Sequence, residues 1–151
     1  AAVVAGLPRP RRGRIDLPLS RNASGRTIVD RRGRPATTRY LTVAAREGAA
    51  LLALFPQTGR THQIRVHLAA RGTPVLGDRI YGFPRGVTPD GSLPRPPRLC
   101  LHAARLRLPA ALAEEEEEEE EEPDIVAALP PDLCRYLTRL GLPARPAAGR
   151  E

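Results

Sequence analysis

The sequence predicts an α+β domain, and three observations carry that expectation. Four stretches have strand character: 1–4, 37–45, 50–55 and 99–108. Two others, 61–71 and 131–141, have the period of a helix. Between them lie Pro-, Gly- and Arg-rich connections with no period, notably 7–34 and 83–98.

In chain order, the run Ala1–Val4 is apolar and is ended by Gly6 and Pro8. It reads as the tail of a buried strand that begins before Ala1. Residues 7–34 read as a connecting loop in which only Ile15-Asp16-Leu17-Pro18-Leu19 looks ordered, as a short strand. The sequon at Asn22 is taken as chance. Residues 37–45, with Thr, Tyr, Leu and Val, suit a strand, and Glu47-Gly48 turns the chain into a second one, so that the pair forms a hairpin. A helix over 61–71 follows, with Gly72 placed for a left-handed C-terminal cap. Pro74-Val75-Leu76 is a short extended piece before Gly77-Asp78. Residues 99–108 return to strand character, Leu106 and Leu108 alternating with Arg105 and Arg107.

Nine consecutive glutamates, 114–122, cannot pack against one another and read as a disordered insertion. Pro131-Asp132 then opens a helix with Leu133, Leu137 and Leu140 on one stripe and Gly141 at its end. The expected organisation is therefore a domain over 1–113, the glutamate run 114–122, a C-terminal helix of the same domain within 123–142, and a disordered tail 143–151.

Composition limits the function classes. The chain has 151 residues, 41% of them hydrophobic and 3% aromatic, so one domain with an aliphatic core is expected. All 24 basic residues are Arg, a bias that GC-rich codons explain as well as chemistry does. Net charge is +7, but residues 1–113 hold 20 Arg against five acids. That surplus points to a polyanionic partner, nucleic acid above all. Cys100 and Cys134 show no paired spacing, so neither a zinc site nor a disulfide framework follows, and an intracellular protein with free thiols is expected. No apolar run approaches the ~20 residues that span a bilayer, and no membrane partner is expected. The absence of Met suggests a fragment or processed product, in which an N-terminal targeting signal cannot be read.

The stretch with the most chemistry is 57–82. Arg60, His62, Gln63, Arg65 and His67 fall within eight positions, where a surface helix would spend Glu and Lys and a core helix apolar residues. Ile64 and Leu68 lie one turn apart, as do Thr61 and Arg65, and Gln63 and His67. His62 and His67 are about 140° apart around a helix and do not form a metal-binding face. Arg60, His62 and Gln63 suit either contact with RNA phosphates or placement of a loop; helix capping and surface hydrogen bonding are the plainer alternative. Tyr81 fits a core position or a pocket wall. Asp78 reads as a structural carboxylate that satisfies nearby turn amides.

TGRTHQIRVHL, followed by GTPVLGDRIYG, resembles the third signature motif of the RluA family of RNA pseudouridine synthases. Two further pieces fit in order: Arg34-Pro35-Ala36-Thr37 with Tyr40 upstream, and Leu101-His102-Ala103 with Leu106 downstream. The resemblance spans roughly residues 1–108 and resumes over 124–141. It implies a mostly antiparallel sheet flanked by helices, the C-terminal part of a pseudouridine synthase catalytic domain. It implies isomerisation of uridine to pseudouridine in ribosomal or transfer RNA, without metal or organic cofactor, by a protein expected to be monomeric.

In that family an Arg of the signature helix pairs with a catalytic aspartate, and Arg65 matches it by position. Arg60, His62, Gln63 and Tyr81 become the expected RNA-contacting set. The resemblance places the aspartate in an Arg-Leu-Asp motif and a tyrosine just before the first strand; neither is in this sequence. Asp16, Asp30 and Asp90 lie in loops without the motif's neighbours. The chain alone is accordingly expected not to turn over. The alternative is a catalytically dead RNA-binding remnant of the same family.

Overall fold

The computed structural model describes residues 1–84, 86, 88–107 and 124–144. The glutamate run and the tail after 144 lie outside the described residues.

The framework is a four-stranded sheet in the order β1-β6-β5-β2. Its strands are β1 (Ala2–Ala5), β2 (Arg12–Asp16), β5 (Thr37–Arg46) and β6 (Ala49–Pro56). Every pairing is antiparallel. The expected hairpin is present: β5 and β6 join through Glu47-Gly48, with Gly48 left-handed at φ 73° and a bulge between Thr42 and Ala44. β1 is buried along its whole length, as its apolar run requires. The start of β6, Ala49–Leu52, is equally buried because it runs between β1 and β5.

β5 alternates in the manner of a half-buried strand. Thr38, Tyr40 and Thr42 face inward while Arg39 and Leu41 face out. Two of the three inward groups are threonines, and this polar stripe on a buried face has a use at the site.

The outer edge of β1 is covered by two short extended segments. Ala5 N donates to the Pro74 carbonyl and Leu76 N to that of Val3, while Val3 N donates to the Cys100 carbonyl. These bonds seat the expected extended piece at 74–76 on the sheet and so aim the Gly77-Asp78 turn that follows.

Segment 7–34 is more ordered than a loop with one strand. Besides β2 it forms a hairpin of β3 (Leu19–Arg21) and β4 (Thr27–Val29). Strands of three residues between Pro and Gly are too short to show a period. The expected strand over 99–108 is also cut down. Among its described residues, 99–107, Leu101 makes a single bridge to Ala2 and only β7 (Arg105–Arg107) is a strand, paired with β8 (Asp124–Val126); residue 108 lies outside the described residues.

Helix α1 (Gln63–Ala70) is shorter at its start than the expected 61–71, because His62 adopts a left-handed conformation, φ 54°. Gly72 follows its last turn at φ 75°, as expected. Helix α2 (Pro131–Arg139) opens on proline and buries Leu133, Tyr136 and Leu137 against the sheet core. Each such apolar side chain contributes about 1.5–3 kcal/mol. Tyr136 also donates its hydroxyl to the Pro94 carbonyl at 2.8 Å, tying α2 to the segment around Pro94. Gly141 ends the helix at φ 66°. Among the described residues no helix is long and apolar enough to cross a membrane.

Candidate active site

Two faces of α1 do different work. The inward face carries Gln63 and His67, four residues apart, and both reach the threonine stripe of β5. Gln63 Nε2 donates to the Thr37 carbonyl at 2.9 Å and to Thr38 Oγ1 at 3.0 Å. Its Oε1 accepts from Thr58 Oγ1 at 2.6 Å and from the Arg60 amide at 3.1 Å. His67 is fully buried, with Nδ1 2.9 Å from Thr38 Oγ1 and Nε2 3.0 Å from the Leu17 carbonyl. A carbonyl can only accept, so Nε2 carries the proton and Nδ1 accepts from Thr38. Burial lowers the His67 pKa despite the bond to Leu17, and the ring is neutral near pH 7.

This network engages the whole Gln63 side chain. Its side chain is buried and every polar atom is used inside the protein. It holds the Thr58–Arg60 turn against β5, the loop-placing role weighed beside RNA contact. Arg60 assists from outside: its Nε donates to the Pro35 carbonyl at 3.2 Å.

The other face carries Arg65. Its Nε lies 2.7 Å from Asp78 Oδ2 and its Nη2 2.8 Å from Oδ1, a bidentate pair. Asp78 is 1% exposed and its Oδ1 also accepts from the amides of Ile80 and Tyr81, at 2.9 and 3.0 Å. Burial works to raise the Asp78 pKa, but Arg65 and the two amides outweigh it, and the carboxyl sits below its usual range. The amide contacts are those expected of a turn carboxylate. The partnership with Arg65 was not foreseen: the matching Arg was expected to face an aspartate outside this sequence, and here it is held by one thirteen residues on.

Asp78 thereby also places Tyr81. The Arg65 guanidinium lies 5.0 Å from the centre of the Tyr81 ring and that of Arg26, from the β3–β4 hairpin, 4.8 Å from it. Arg26 further donates to the Ile80 carbonyl. The Tyr81 hydroxyl is 2.9 Å from His62 Nδ1, and the two rings meet edge to face at 5.5 Å. Desolvation, helped by the Arg65 charge, lowers the His62 pKa against the pull of Asp78. His62 and Tyr81 thus belong with Arg65 in one cluster, and Tyr81 also packs against the apolar group of Leu19, Ala36 and Val66. Arg26 was missed because a lone Arg in an Arg-rich loop carries no periodic signal.

Outside this cluster, both cysteines are free thiols. Burial pushes the Cys100 thiol up to about 12, so it is inert as a nucleophile at neutral pH.

A family model described as RNA pseudouridylate synthase matches residues 1–70. The dual-specificity RNA pseudouridine synthase RluA of Salmonella typhimurium is 41% identical over 111 residues, 71% of this chain and 48% of that protein. An uncharacterised RNA pseudouridine synthase of Mycobacterium bovis is 43% identical over 83 residues, 54% of this chain and 27% of that one. Among solved structures, human RNA pseudouridylate synthase domain containing 4 superposes with a TM-score of 0.68 at 28% identity, covering 94% of this chain and 62% of the human one. The chain spans about half the length of the RluA proteins it matches. The similarity, the shared α+β fold and the helix bearing Arg65 agree: the chain belongs to the RluA-type RNA pseudouridine synthases.

Proposed function

We propose that the protein isomerises uridine to pseudouridine in structured RNA, ribosomal or transfer, and that this chain supplies the arginine side of its catalytic pair. The observation that carries the reading is the geometry of Arg65. Asp78 engages its Nε and Nη2, which fixes the plane of the guanidinium and leaves Nη1 to donate to a second carboxylate. An Arg oriented in this way keeps that carboxylate ionised and aimed at the nucleotide. The second carboxylate is the aspartate of an Arg-Leu-Asp segment, which this sequence does not contain.

The remaining chemistry is placement. A uridine must leave its stack before its glycosidic bond can break, the base turn and the carbon bond form. Tyr81, in contact with both Arg26 and Arg65, stands beside the catalytic pair, where its edge and hydroxyl can border the nucleotide. Arg-rich loops around it supply salt-dependent contacts to phosphates.

The test is release of tritium from 5-tritiated uridine in RNA by the intact protein and its Arg65→Ala variant. Turnover by the parent and a loss of about a hundredfold or more in the variant are expected. RNA binding without turnover in the intact parent would leave the RNA-binding remnant as the correct reading. The transcript upstream of the Ala1 codon gives an independent check, since it should encode Arg-Leu-Asp in frame.

A further inference from the structure

The turn that positions Asp78 has a second side. Asp78 itself reaches back to Arg65, but its neighbours Gly77 and Arg79 line a separate small cavity with Arg95, Pro96, Pro97 and Arg98. Its volume is about 110 Å³, the room of a few waters. Three of the lining residues are arginines. Arg98 is held in place by Asp132, Nε to Oδ2 at 2.8 Å, which offsets one positive charge. Among the described residues neither Arg79 nor Arg95 has a hydrogen-bond or ion-pair partner. Two uncompensated cations remain at one concave spot, with a third fixed in orientation.

We propose that this cavity is an oxyanion site that takes one phosphate group, and that the group is a backbone phosphodiester of bound RNA. The chemistry selects the ligand class. Forked guanidinium donors match the oxygens of a phosphate. A nucleobase does not fit the lining, because no aromatic face is present to stack on it. The turn is also rigid where it matters. Gly77 is left-handed, φ 80°, and a Cβ there would lie 2.0 Å from the Arg98 carbonyl oxygen. The backbone of Gly77 therefore packs directly on that of Arg98, which locks the two walls together. A phosphate held here would anchor the RNA strand behind the Arg65–Asp78 pair, on the turn where Arg79 stands two residues before Tyr81.

Taking the phosphate from RNA rests on the functional reading above; the oxyanion site does not. The experiment separates the two. The Arg Nε–Hε signals of the intact protein are followed by NMR as inorganic phosphate is added, and the salt dependence of RNA binding is measured beside it. The variants are the double substitution Arg79→Gln with Arg95→Gln and, as a control, Arg12→Gln on β2, at the far edge of the sheet.

The expected result has phosphate shifting the Arg79 and Arg95 signals. The double variant then lowers the slope of log affinity against log salt by roughly one, whereas Arg12→Gln leaves it unchanged. Phosphate shifts with an unchanged RNA slope would overturn the RNA assignment and leave a site for free phosphate. No phosphate shift, with the double variant matching the control, would overturn the site; wild-type RNA binding in the same titration shows separately whether the functional reading survives. Melting curves of the variants check folding, which should hold because neither arginine makes a hydrogen bond or ion pair among the described residues.

Discussion

Arg65 and Asp78 lie thirteen residues apart and meet through two parallel hydrogen bonds of 2.7 and 2.8 Å, with the carboxylate 1% exposed. A pair this far out of water is held by its geometry, and cutting one partner leaves the other charge uncompensated. Asp78 has a second duty at the same oxygen, accepting from the amides of Ile80 and Tyr81. The charge and the turn are thus set by one side chain.

Asp78→Asn separates those duties, because the amide oxygen still accepts from the turn. Loss of the ion pair alone should destabilise the fold by about 3 kcal/mol, read from urea unfolding. Tyr81, which leans on Arg65, should lose its place as well. A change under about 0.5 kcal/mol would mean that the Arg65 charge is satisfied without Asp78.

Gln63 provides a test of structure against RNA contact. Its four hydrogen bonds join the turn at Thr58–Arg60 to β5. Gln63→Leu keeps the size and orphans several buried partners, so stability should drop by about 2–3 kcal/mol. RNA affinity, measured well below the melting transition, should change little. Lost affinity at unchanged stability would instead support the RNA-contact role.

The fold was legible wherever a period had room to show. The 37–55 hairpin and the Leu133–Leu137 stripe emerge as read, because apolar side chains repeat at the spacing of the element that buries them, and the apolar run at 1–4 lies within the buried β1, Ala2–Ala5. The β3–β4 hairpin was not legible, since three-residue strands carry no period. At the site, Arg65 came from the resemblance, whereas its partner came only from coordinates. A turn carboxylate that caps amides and one that also binds Arg look alike in sequence. Gln63 and His67 were seen to share a face, yet which face turned inward depended on Thr38 and Leu17, at 25 and 50 residues' remove.

His67 makes the fold sensitive to acid. Burial lowers its pKa below the ordinary 6.5, so the unfolded chain binds a proton that the native state does not. Stability therefore rises with pH up to about 6.5 and levels off above it. Urea midpoints should fall between pH 7.5 and 5.5. His67→Gln should flatten that slope in part, because His62 is lowered as well and acts with the same sign. Asp78 acts in a lower window: its depressed pKa adds stability that is lost only as pH falls below the ordinary carboxylate range. A midpoint that stays constant from pH 7.5 to 5.5 would contradict the buried neutral imidazole.

Two glycines with the same backbone hand should respond very differently to alanine. Gly72 is left-handed at φ 75° with nothing within 4 Å of an added Cβ, so Gly72→Ala meets only the conformational cost, about 1–2 kcal/mol. Gly77 has nearly the same φ, 80°, but its Cβ would stand 2.0 Å from the Arg98 carbonyl oxygen and 2.6 Å from its carbon. The backbone on either side must then move apart, and Asp78 is the next residue. Gly77→Ala should cost at least about 3 kcal/mol and disturb the Arg65 pair with it. Unfolding of the two variants side by side checks this, and equal losses would show that the approach of 77 to 98 is looser than its geometry.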